Sequence, residues 1–520
     1  MSNIWIKKPM SAYEADIKKS QLKRVLGKWS LTAIGIGAII GGGIFVLTGT
    51  GAYYHAGPAL ALSFVIAGIA CVFAALCYSE FASILPVEGS AYAYAYGTIG
   101  EIFAWIIGWG LILEYAMGSM TVAVAWSGYF NKLLKMFGLH LPDFLTSDPF
   151  SYAGEGFSMN LPALLIVLFV ISILVKGTEG ASKANNFIVM LKVSAVIFVI
   201  IAGAFFILPE NWTPFIPAPE MVKDGDVLKE AYGWKGIISG AAAIFFAYVG
   251  FDAVSTQAGE AINPKKDVPF AIVASLLICT ILYILVSLVL TGMMHYSDFN
   301  PQGDYPDAIK APVAYAFEIA SKSQTGISHA ITSGAGYIIT IAATVGLISV
   351  LMVMIMGQSR IFLGMSKDGL IPKTFSIVDP KAGVPRKNLF ILGGVISVVA
   401  AFTPINKLAD MTSFGTLFAF TMVCVAVWIL RKREPNLQRN FKVPALPVIA
   451  TCGILINTYL IINLSWEAQT LSFSWLIIGM IVYFLYSKRN SKLQNGGFGE
   501  TFKAEQEPLQ EVDIDLEDKD

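Results

Sequence analysis

The first long apolar run of the chain contains, at residues 31–45, the stretch LTAIGIGAIIGGGIF. Its three consecutive glycines, Gly41, Gly42 and Gly43, each cost roughly 1 kcal/mol relative to alanine in a helix interior. We therefore expect the helix to be interrupted there. Non-helical backbone at membrane depth is tolerated only where it lines a cavity or meets a ligand. The alternative is that Gly35, Gly37 and Gly41 serve close helix packing, which explains spaced glycines better than three in a row.

The composition around this stretch indicates a membrane protein. Of the 520 residues, 55% are hydrophobic and 14% are charged, against roughly 25% charged in soluble domains. Apolar runs of about 20 residues, the length that crosses a bilayer as a helix, recur along the chain. They predict an all-α polytopic protein with twelve transmembrane helices. Their approximate limits are 30–53, 58–80, 98–126, 161–176, 183–208, 236–256, 269–294, 332–360, 388–405, 411–430, 444–464 and 470–487.

Charge sets the expected orientation. The 36 Lys and Arg balance the 36 Asp and Glu, so no basic excess suggests a nucleic-acid partner. In this arrangement of spans, 27 Lys and Arg fall on the side of the N-terminus and eight on the other side. The positive-inside rule then predicts that both termini are cytoplasmic. We expect a multi-pass protein of the plasma membrane. The termini are a segment at 1–29 and an acidic, disordered tail at 488–520.

Motifs for several kinds of chemistry are missing from the sequence. The apolar runs contain no HExxH, GxSxG, Walker loop or CxxC, which are patterns of metal, nucleophilic, ATP-driven and redox chemistry. We therefore expect no enzyme activity, no metal and no cofactor. A transporter, a channel or a scaffold remains.

The sixth apolar run is a second candidate for interruption. It reads GAAAIFFAYVGFDAVST at residues 240–256 and contains Asp252. An ionised Asp within a span costs roughly 2.5 to 3.5 kcal/mol, so it faces an aqueous cavity or a partner, unless it lies at the interface.

The spacing of the two interruptions suggests an internal repeat. Runs one and six are five apart, and a second copy of a five-helix unit necessarily runs inverted. This predicts two inverted repeats, at 30–208 and 236–430, with helices 1 and 6 broken. Two additional helices follow at 444–487.

Two further ionisable residues lie deep inside predicted spans, namely Glu114 and Lys192. Both should face the interior of the bundle. A carboxyl or amine in that position could exchange a proton during a transport cycle. The alternatives are a structural hydrogen bond for Glu114 and, for Lys192, a side chain that reaches the cytoplasmic interface.

Five ordered blocks of sequence resemble the amino acid-polyamine-organocation (APC) superfamily, and within it the bacterial homologues of the cationic amino acid transporters. The blocks are GIGAIIGGGIFVLTG at 35–49, HAGPALALSF at 55–64, CYSEFASILPVEGSAYAYAY at 77–96, FFAYVGFDAVSTQAGEAINPKKDVP at 245–269 and GQSRIFLGMSKDGLIP at 357–372. The resemblance covers about residues 22–486. It implies a leucine-transporter-type fold that works by alternating access.

The resemblance also implies a substrate site. The substrate α-carboxylate would bind the N–H groups of residues 40–43, and its amino group the carbonyls near Ile39, Phe246 and Val249. Phe246 would act as a gate. The full set of implied substrate-binding residues is Ile39, Ile40, Gly41, Gly42, Gly43, Glu114, Phe246, Val249 and Asp252.

Lys192 corresponds to a lysine that stands, in proton-coupled members, where sodium-coupled relatives hold an ion. Glu114 and Lys192 are therefore the expected coupling residues. Gly42 departs from the small hydroxyl or alanine that the family often has at the middle of the first break, which leaves more room there.

These features predict a secondary amino acid transporter that imports cationic or small neutral amino acids by proton-coupled symport. An exchanger of the same fold is the alternative. A channel would need a continuous polar lining, and a receptor would need a larger output domain. The expected partners are the amino acid, protons and the lipid bilayer, and the sequence leaves open a small single-span membrane partner.

Overall fold

The computed structural model describes residues 5–9, 26–84, 90–152, 154–224, 227–322, 326–379 and 382–496. Most of the predicted N-terminal segment at 1–29 and the predicted tail beyond residue 496 lie outside the described residues, as do residues 85–89 of the third sequence block.

The described chain is mainly helical. The α-helices are α1 Lys28–Ile39, α2 Thr48–Gly51, α3 Leu60–Ile84, α4 Ser90–Thr98, α5 Glu101–Met136, α6 Leu161–Leu174, α7 Thr178–Ala204, α8 Gly233–Ala243, α9 Pro264–Met293, α10 Pro312–Lys322, α11 Gly326–Lys367, α12 Arg386–Phe402, α13 Ile405–Arg433, α14 Leu446–Ile462, α15 Trp466–Val482 and α16 Lys488–Asn490. Turns of π-helix at Gly43–Leu47 and Ala52–Ala56 flank α2, and 3₁₀ segments at Ile244–Tyr248 and Phe251–Glu260 follow α8.

Helices lie at each of the twelve predicted segments. Seven helical stretches in the described chain are long and apolar enough to cross a membrane, and three further apolar helices are shorter. The seven are Gly43–Ile84, Glu101–Met136, Gly233–Ser255, Pro264–Met293, Gly334–Lys367, Ile405–Arg433 and Trp466–Asn490. The protein is therefore a helical, polytopic membrane protein.

Within the described residues, one connection with paired strands departs from the all-helical prediction. Between α7 and α8, strand β1 Glu220–Asp224 pairs antiparallel with β2 Val227–Ala231. Val222 of β1 is buried while Met221 beside it is exposed, the alternation that suits a strand covered on one face. Three of the described helices, α4, α10 and the short α16, also lie outside the predicted spans.

Helix α5 runs the length of the molecule and defines its two ends. Its 36 residues extend about 54 Å, ten residues beyond the predicted limit at 126. Glu101 lies at the end that carries the described terminal segments, which we name the terminal face. Met136 lies at the opposite end, which we name the far face.

The described terminal segments are packed onto the terminal face. The Glu101 carboxylate, which is fully buried, accepts hydrogen bonds from Ser491 and from Tyr483 at 3.1 Å. Lys8 forms an ion pair with Asp368 at 3.1 Å. The sequence predicts a solvated tail from Lys488 onward, but residues 488–496 are ordered because buried Glu101 needs donors that this segment supplies.

The buried apolar core lies in the centre of the helix bundle, and many large apolar side chains are also exposed on the outer surface of the bundle. Helix α5 packs against α11 and α13, and α9 packs against α1 and α3. The outer helices keep large apolar side chains exposed, such as Phe205, Leu455 and Ile477. An outward apolar surface of this kind suits lipid as the surrounding solvent.

Candidate functional site

The first interrupted helix breaks close to where the glycines predict. Helix α1 ends at Ile39, and Ile40 takes an extended conformation with φ −68° and ψ 101°. Helical structure resumes at Gly43. A Cβ at Gly43 would lie 2.3 Å from the Ala247 Cα, so only glycine lets these two backbones touch.

The second interruption lies within the sixth predicted span, at 236–256. The first 3₁₀ segment ends at Tyr248, Val249 is non-helical with ψ 133°, and Gly250 has φ +117°. A Cβ at Gly250 would lie 2.8 Å from the Ala38 carbonyl oxygen. The two breaks therefore face each other at backbone distance, Gly43 against Ala247 and Gly250 against Ala38.

Tyr283 of α9 joins the two breaks. Its hydroxyl oxygen lies 2.8 Å from the Ile39 carbonyl and 2.8 Å from the Ala247 carbonyl. A hydroxyl has one proton to donate, so it saturates one of these carbonyls at a time. The other carbonyl remains able to accept from an ammonium group.

The space around Gly42 is apolar. A Cβ there would meet the Ala125 Cβ at 3.2 Å, Phe246 Cε1 at 3.6 Å and the Val122 Cα at 4.0 Å. The Phe246 backbone N–H donates to the Ser413 hydroxyl of α13 at 3.1 Å, which fixes the residue beside the first break. Gly42 and Phe246, predicted as site residues, are thus brought together.

Lys192 of α7 is fully buried and is tied to the first broken helix. Its ammonium donates to the Gly37 carbonyl and to the Ser349 hydroxyl of α11 at 3.2 Å. Gly37 lies in the last turn of α1, where the helix dipole favours a positive charge. A Cβ at Gly346 would lie 3.0 Å from the Lys192 Cβ, so that glycine makes room for the lysine.

Glu114 and Asp252 are both buried. One Asp252 oxygen, Oδ2, accepts from the Tyr115 hydroxyl at 2.8 Å. Asp252 Oδ1 and both carboxyl oxygens of Glu114 have no hydrogen-bond partner among the described residues. Buried carboxyl oxygens in this condition are costly.

Glu114 lies away from Gly42 along α5. Val122 contacts the Gly42 position and is eight residues further along the helix, which corresponds to about 12 Å. Side chains in helices also point toward the N-terminus, so the Glu114 carboxyl is directed toward the terminal face. The structure thus brings Ile39 to Gly43, Phe246 and Val249 together at the two breaks. Glu114 lies closer to the terminal face, about 12 Å away along α5.

Sequence reasoning did not identify Tyr283, Ser413, Ser349 or Tyr115 as members of the site. Tyr115 follows Glu114 directly and could have been noted as a polar neighbour of a buried carboxyl. The others are ordinary polar residues inside apolar runs, and only the contacts between helices reveal their partners.

Comparison with known proteins gives consistent matches over nearly the whole chain. A family model described as amino acid permease matches residues 26–486. The branched-chain amino acid permease BcaP of Bacillus subtilis is 43% identical over 91% of this chain and 95% of that protein. The methylthioribose transporter of Bacillus subtilis is 41% identical over 95% of this chain and all of the relative.

Eukaryotic relatives match as well. The vacuolar cationic amino acid transporter 4 of Arabidopsis thaliana is 36% identical over 80% of this chain and 64% of its own length. The predicted resemblance is confirmed by these matches and by the family model. The chain belongs to the amino acid permease family of the APC superfamily, whose members here are transporters and not enzymes.

Proposed function

We propose that this protein imports amino acids across the plasma membrane by alternating access, as a twelve-span transporter of two inverted five-helix repeats plus two helices. The observation that carries the proposal is the contact between the two breaks, Gly43 against Ala247 and Gly250 against Ala38. Facing breaks of this kind present unsatisfied backbone groups to one ligand. The Lys and Arg surplus on the terminal side supports a cytoplasmic terminal face.

The substrate binds between the breaks. Its α-carboxylate accepts hydrogen bonds from the N–H groups of residues 41–43, where the second half of the first broken helix begins and the helix dipole favours an anion. The N–H of Ile40 is not available for this role, because it donates to the Ile36 carbonyl at 2.9 Å. Its ammonium donates to the carbonyls of Ile39, Phe246 and Val249. Tyr283 supports this role, because its single proton leaves one of two adjacent carbonyls available. Phe246 closes over the bound substrate.

The side-chain pocket favours an apolar amino acid. The nearest groups to Gly42 are Ala125, Phe246 and Val122, and the absent Gly42 side chain leaves room for a branched substrate. Burying apolar surface there supplies roughly 0.8 kcal/mol per CH₂. The similarity to a relative named for branched-chain amino acids supports the same preference. Glu114, about 12 Å along α5, is then placed for coupling rather than for reading a cationic side chain.

Protons drive the accumulation, through Lys192 and Glu114. One charge that crosses about 150 mV supplies roughly 3.5 kcal/mol, enough for a few-hundred-fold accumulation of a neutral substrate. Lys192 donates to the last turn of α1, so loss of its proton changes the support of the first break. Exchange of internal for external amino acid is the alternative mode.

Methylthioribose is a second candidate solute. A relative named as its transporter matches 95% of this chain, and the apolar surroundings of Gly42 suit a methylthio group. A sugar offers no carboxylate to the N–H groups of the first break.

The test is uptake by purified protein in sealed liposomes at clamped potential, with and without an inward proton gradient. The labelled solutes are leucine, alanine, arginine and methylthioribose. Accumulation of leucine and alanine that depends on the pH gradient supports the proposal. Uptake only into liposomes preloaded with amino acid indicates exchange, and preference for arginine or methylthioribose rejects the proposed substrate class.

A further inference from the structure

The first residues of α1 and α9 lie side by side at the terminal face. Leu26, two residues before α1, pairs with Ala261 in an isolated parallel bridge, and the Leu26 carbonyl accepts a hydrogen bond from the Ile262 N–H at 2.9 Å. Helix α1 begins at Lys28 and α9 begins at Pro264. The two helix starts are therefore joined through the backbone that leads into them, and their side chains form one surface.

One stripe of α9 faces outward along its length. Four large apolar side chains of this helix are 40% to 58% exposed, namely Phe270, Leu277, Ile281 and Leu285. Their spacings of seven and four are those of a single helix face, and such a stripe on a membrane-spanning helix contacts lipid chains. Lys266 lies four residues before Phe270 on the same face and is exposed. It marks the point where the stripe leaves the hydrocarbon.

The first turn of α1 reaches the same boundary. Trp29 is 63% exposed, and its ring meets the Phe270 ring edge to face with centroids 5.3 Å apart. The Lys28 ammonium lies 5.4 Å from the centroid of the Phe270 ring and 5.9 Å from that of the Trp29 ring. Exposed Trp and Lys side chains at the ends of spans are typical of the headgroup level of a membrane. Lys28 and Lys266 thus both lie next to Phe270 at that level.

The positive charge at this boundary is not neutralised within the described chain. Lys28, Lys265 and Lys266 form no ion pair with any described residue. The carboxylate that follows them in sequence, Asp267, accepts a hydrogen bond from the Asn263 N–H at 3.3 Å. Three ammonium groups therefore remain available to an anion from outside the protein.

The surface combines charge with apolar contact in the order that a phospholipid presents them. The ammonium groups lie at the boundary, and the exposed rings and the outward stripe of α9 continue into the hydrocarbon. An anionic phospholipid carries a negative headgroup above apolar chains, and lysines near such a headgroup attract it. A choline headgroup adds a positive charge, which the same lysines repel. Charge and polarity together favour an anionic lipid.

We propose that the surface formed by Lys28, Trp29, Lys265, Lys266 and Phe270 binds an anionic phospholipid. The phosphate lies between the Lys28 and Lys266 ammonium groups, and an acyl chain follows the outward stripe of α9. The bound lipid bridges the starts of α1 and α9, so it holds the first broken helix to its neighbour at the membrane surface. This inference goes beyond the proposed function and does not depend on which solute is carried.

The test is native mass spectrometry of the purified protein titrated with phosphatidylglycerol or with phosphatidylcholine, which gives a Kd for the first lipid bound. We expect Lys28→Gln and Lys266→Gln each to raise the Kd for phosphatidylglycerol about fivefold, as for loss of one lysine near an anionic membrane surface. The Kd for phosphatidylcholine should stay as in the wild type. A wild type that binds both lipids equally well overturns the proposal.

A matched control is Lys387→Gln. Lys387 is an exposed lysine in the first turn of α12, and the exposed Phe390 follows within one turn, but it lies outside the proposed surface. Its Kd for phosphatidylglycerol should equal that of the wild type. Equal loss of binding in the control and in Lys28→Gln and Lys266→Gln overturns the site, as does unchanged binding by those two variants. Displacement of the lipid by glycerol phosphate would show that the surface binds a soluble anion instead.

A second measurement is thermal unfolding in detergent. A ligand that binds the folded state raises the Tm. Phosphatidylglycerol should therefore raise the Tm of the wild type and of Lys387→Gln more than that of the double variant Lys28→Gln with Lys266→Gln. An equal rise in all three proteins would place the stabilising lipid elsewhere and reject the proposed surface.

Discussion

The hydrogen bonds of the Lys192 side chain connect three helices. Helix α7 carries it, the last turn of α1 supplies the Gly37 carbonyl, and α11 supplies the Ser349 hydroxyl. The lysine would lose these hydrogen bonds if the first broken helix moved away from α11. Its contact with the first broken helix, which the proposed alternating access would move, is the physical reason to propose a role in coupling.

We predict that Lys192→Ala abolishes pH-driven accumulation and retains exchange. Without the ammonium, a proton gradient no longer biases the position of α1, whereas the breaks still bind substrate. The measurement is the accumulation ratio of labelled leucine in liposomes with and without a proton gradient, together with counterflow. Lys176→Ala, at an exposed lysine past the end of α6, is the control. Undiminished gradient-driven accumulation would remove Lys192 from the mechanism.

Gly42→Leu should prevent substrate binding. Already the Cβ would approach Ala125 at 3.2 Å, and the remaining atoms would fill the space beside Phe246. We expect at least a tenfold loss of affinity, roughly 1.4 kcal/mol or more, measured by equilibrium binding of labelled leucine in detergent. Gly394→Leu is matched, since a Cβ there meets nothing within 4 Å. Full binding by Gly42→Leu would show that the substrate lies elsewhere.

The two interrupted helices act as one unit. Each contributes a glycine to a contact with the backbone of the other, and Tyr283 of α9 reaches a carbonyl in both. Glycines destabilise a continuous helix, and here they lie where the two breaks contact each other and no side chain would fit. Side chains at those two glycines would force the elements apart.

Gly250→Ala is expected to destabilise the protein and stop transport. Its φ of +117° is costly for any L side chain, and the Cβ would press on the Ala38 carbonyl. Together these effects amount to roughly 2 to 5 kcal/mol. The control is Gly383→Ala, because Gly383 also has a positive φ, +67°, but a Cβ there would meet nothing within 4 Å. We expect this control variant to lose less stability and to retain leucine uptake. The two variants are compared by thermal unfolding in detergent and by leucine uptake. Equal behaviour would mean that the contact between the breaks is dispensable.

For the whole molecule, the two faces differ in what they carry. The terminal face holds buried carboxylates that fasten the described terminal segments, such as Glu101 and Asp368. The far face holds the hairpin and α10. This asymmetry fits a transporter whose ends open at different stages of a cycle.

Labelling of introduced cysteines tests which face lies outside the cell. We predict that an impermeant maleimide applied to intact cells modifies Leu139→Cys, at a far-face residue 59% exposed, and spares Arg489→Cys at the terminal face. Four native cysteines are buried, and Cys452→Ser removes the fifth. After permeabilisation both should react. Modification of Arg489→Cys alone in intact cells would invert the orientation.

The sequence by itself determined the membrane class, the positions of the twelve long apolar segments and the two interruptions. Apolar runs and consecutive glycines are local properties, because the bilayer imposes helix length and the backbone cost of glycine does not depend on distant neighbours. Gly42 and Lys192 could be singled out from such local properties, whereas Phe246 was named only through the resemblance of its sequence block to the APC superfamily.

Only the tertiary structure decided what those residues touch. It placed Tyr283 and Ser413 at the breaks, tied Lys192 to Gly37, set Glu114 about 12 Å from Gly42 along α5 and ordered residues 488–496 on the terminal face. Each of these contacts joins helices far apart in the chain, as Lys192 and Gly37 do across 155 residues. Hydropathy and helix periodicity describe one segment at a time, whereas such contacts depend on which helices pack together and on which faces they present.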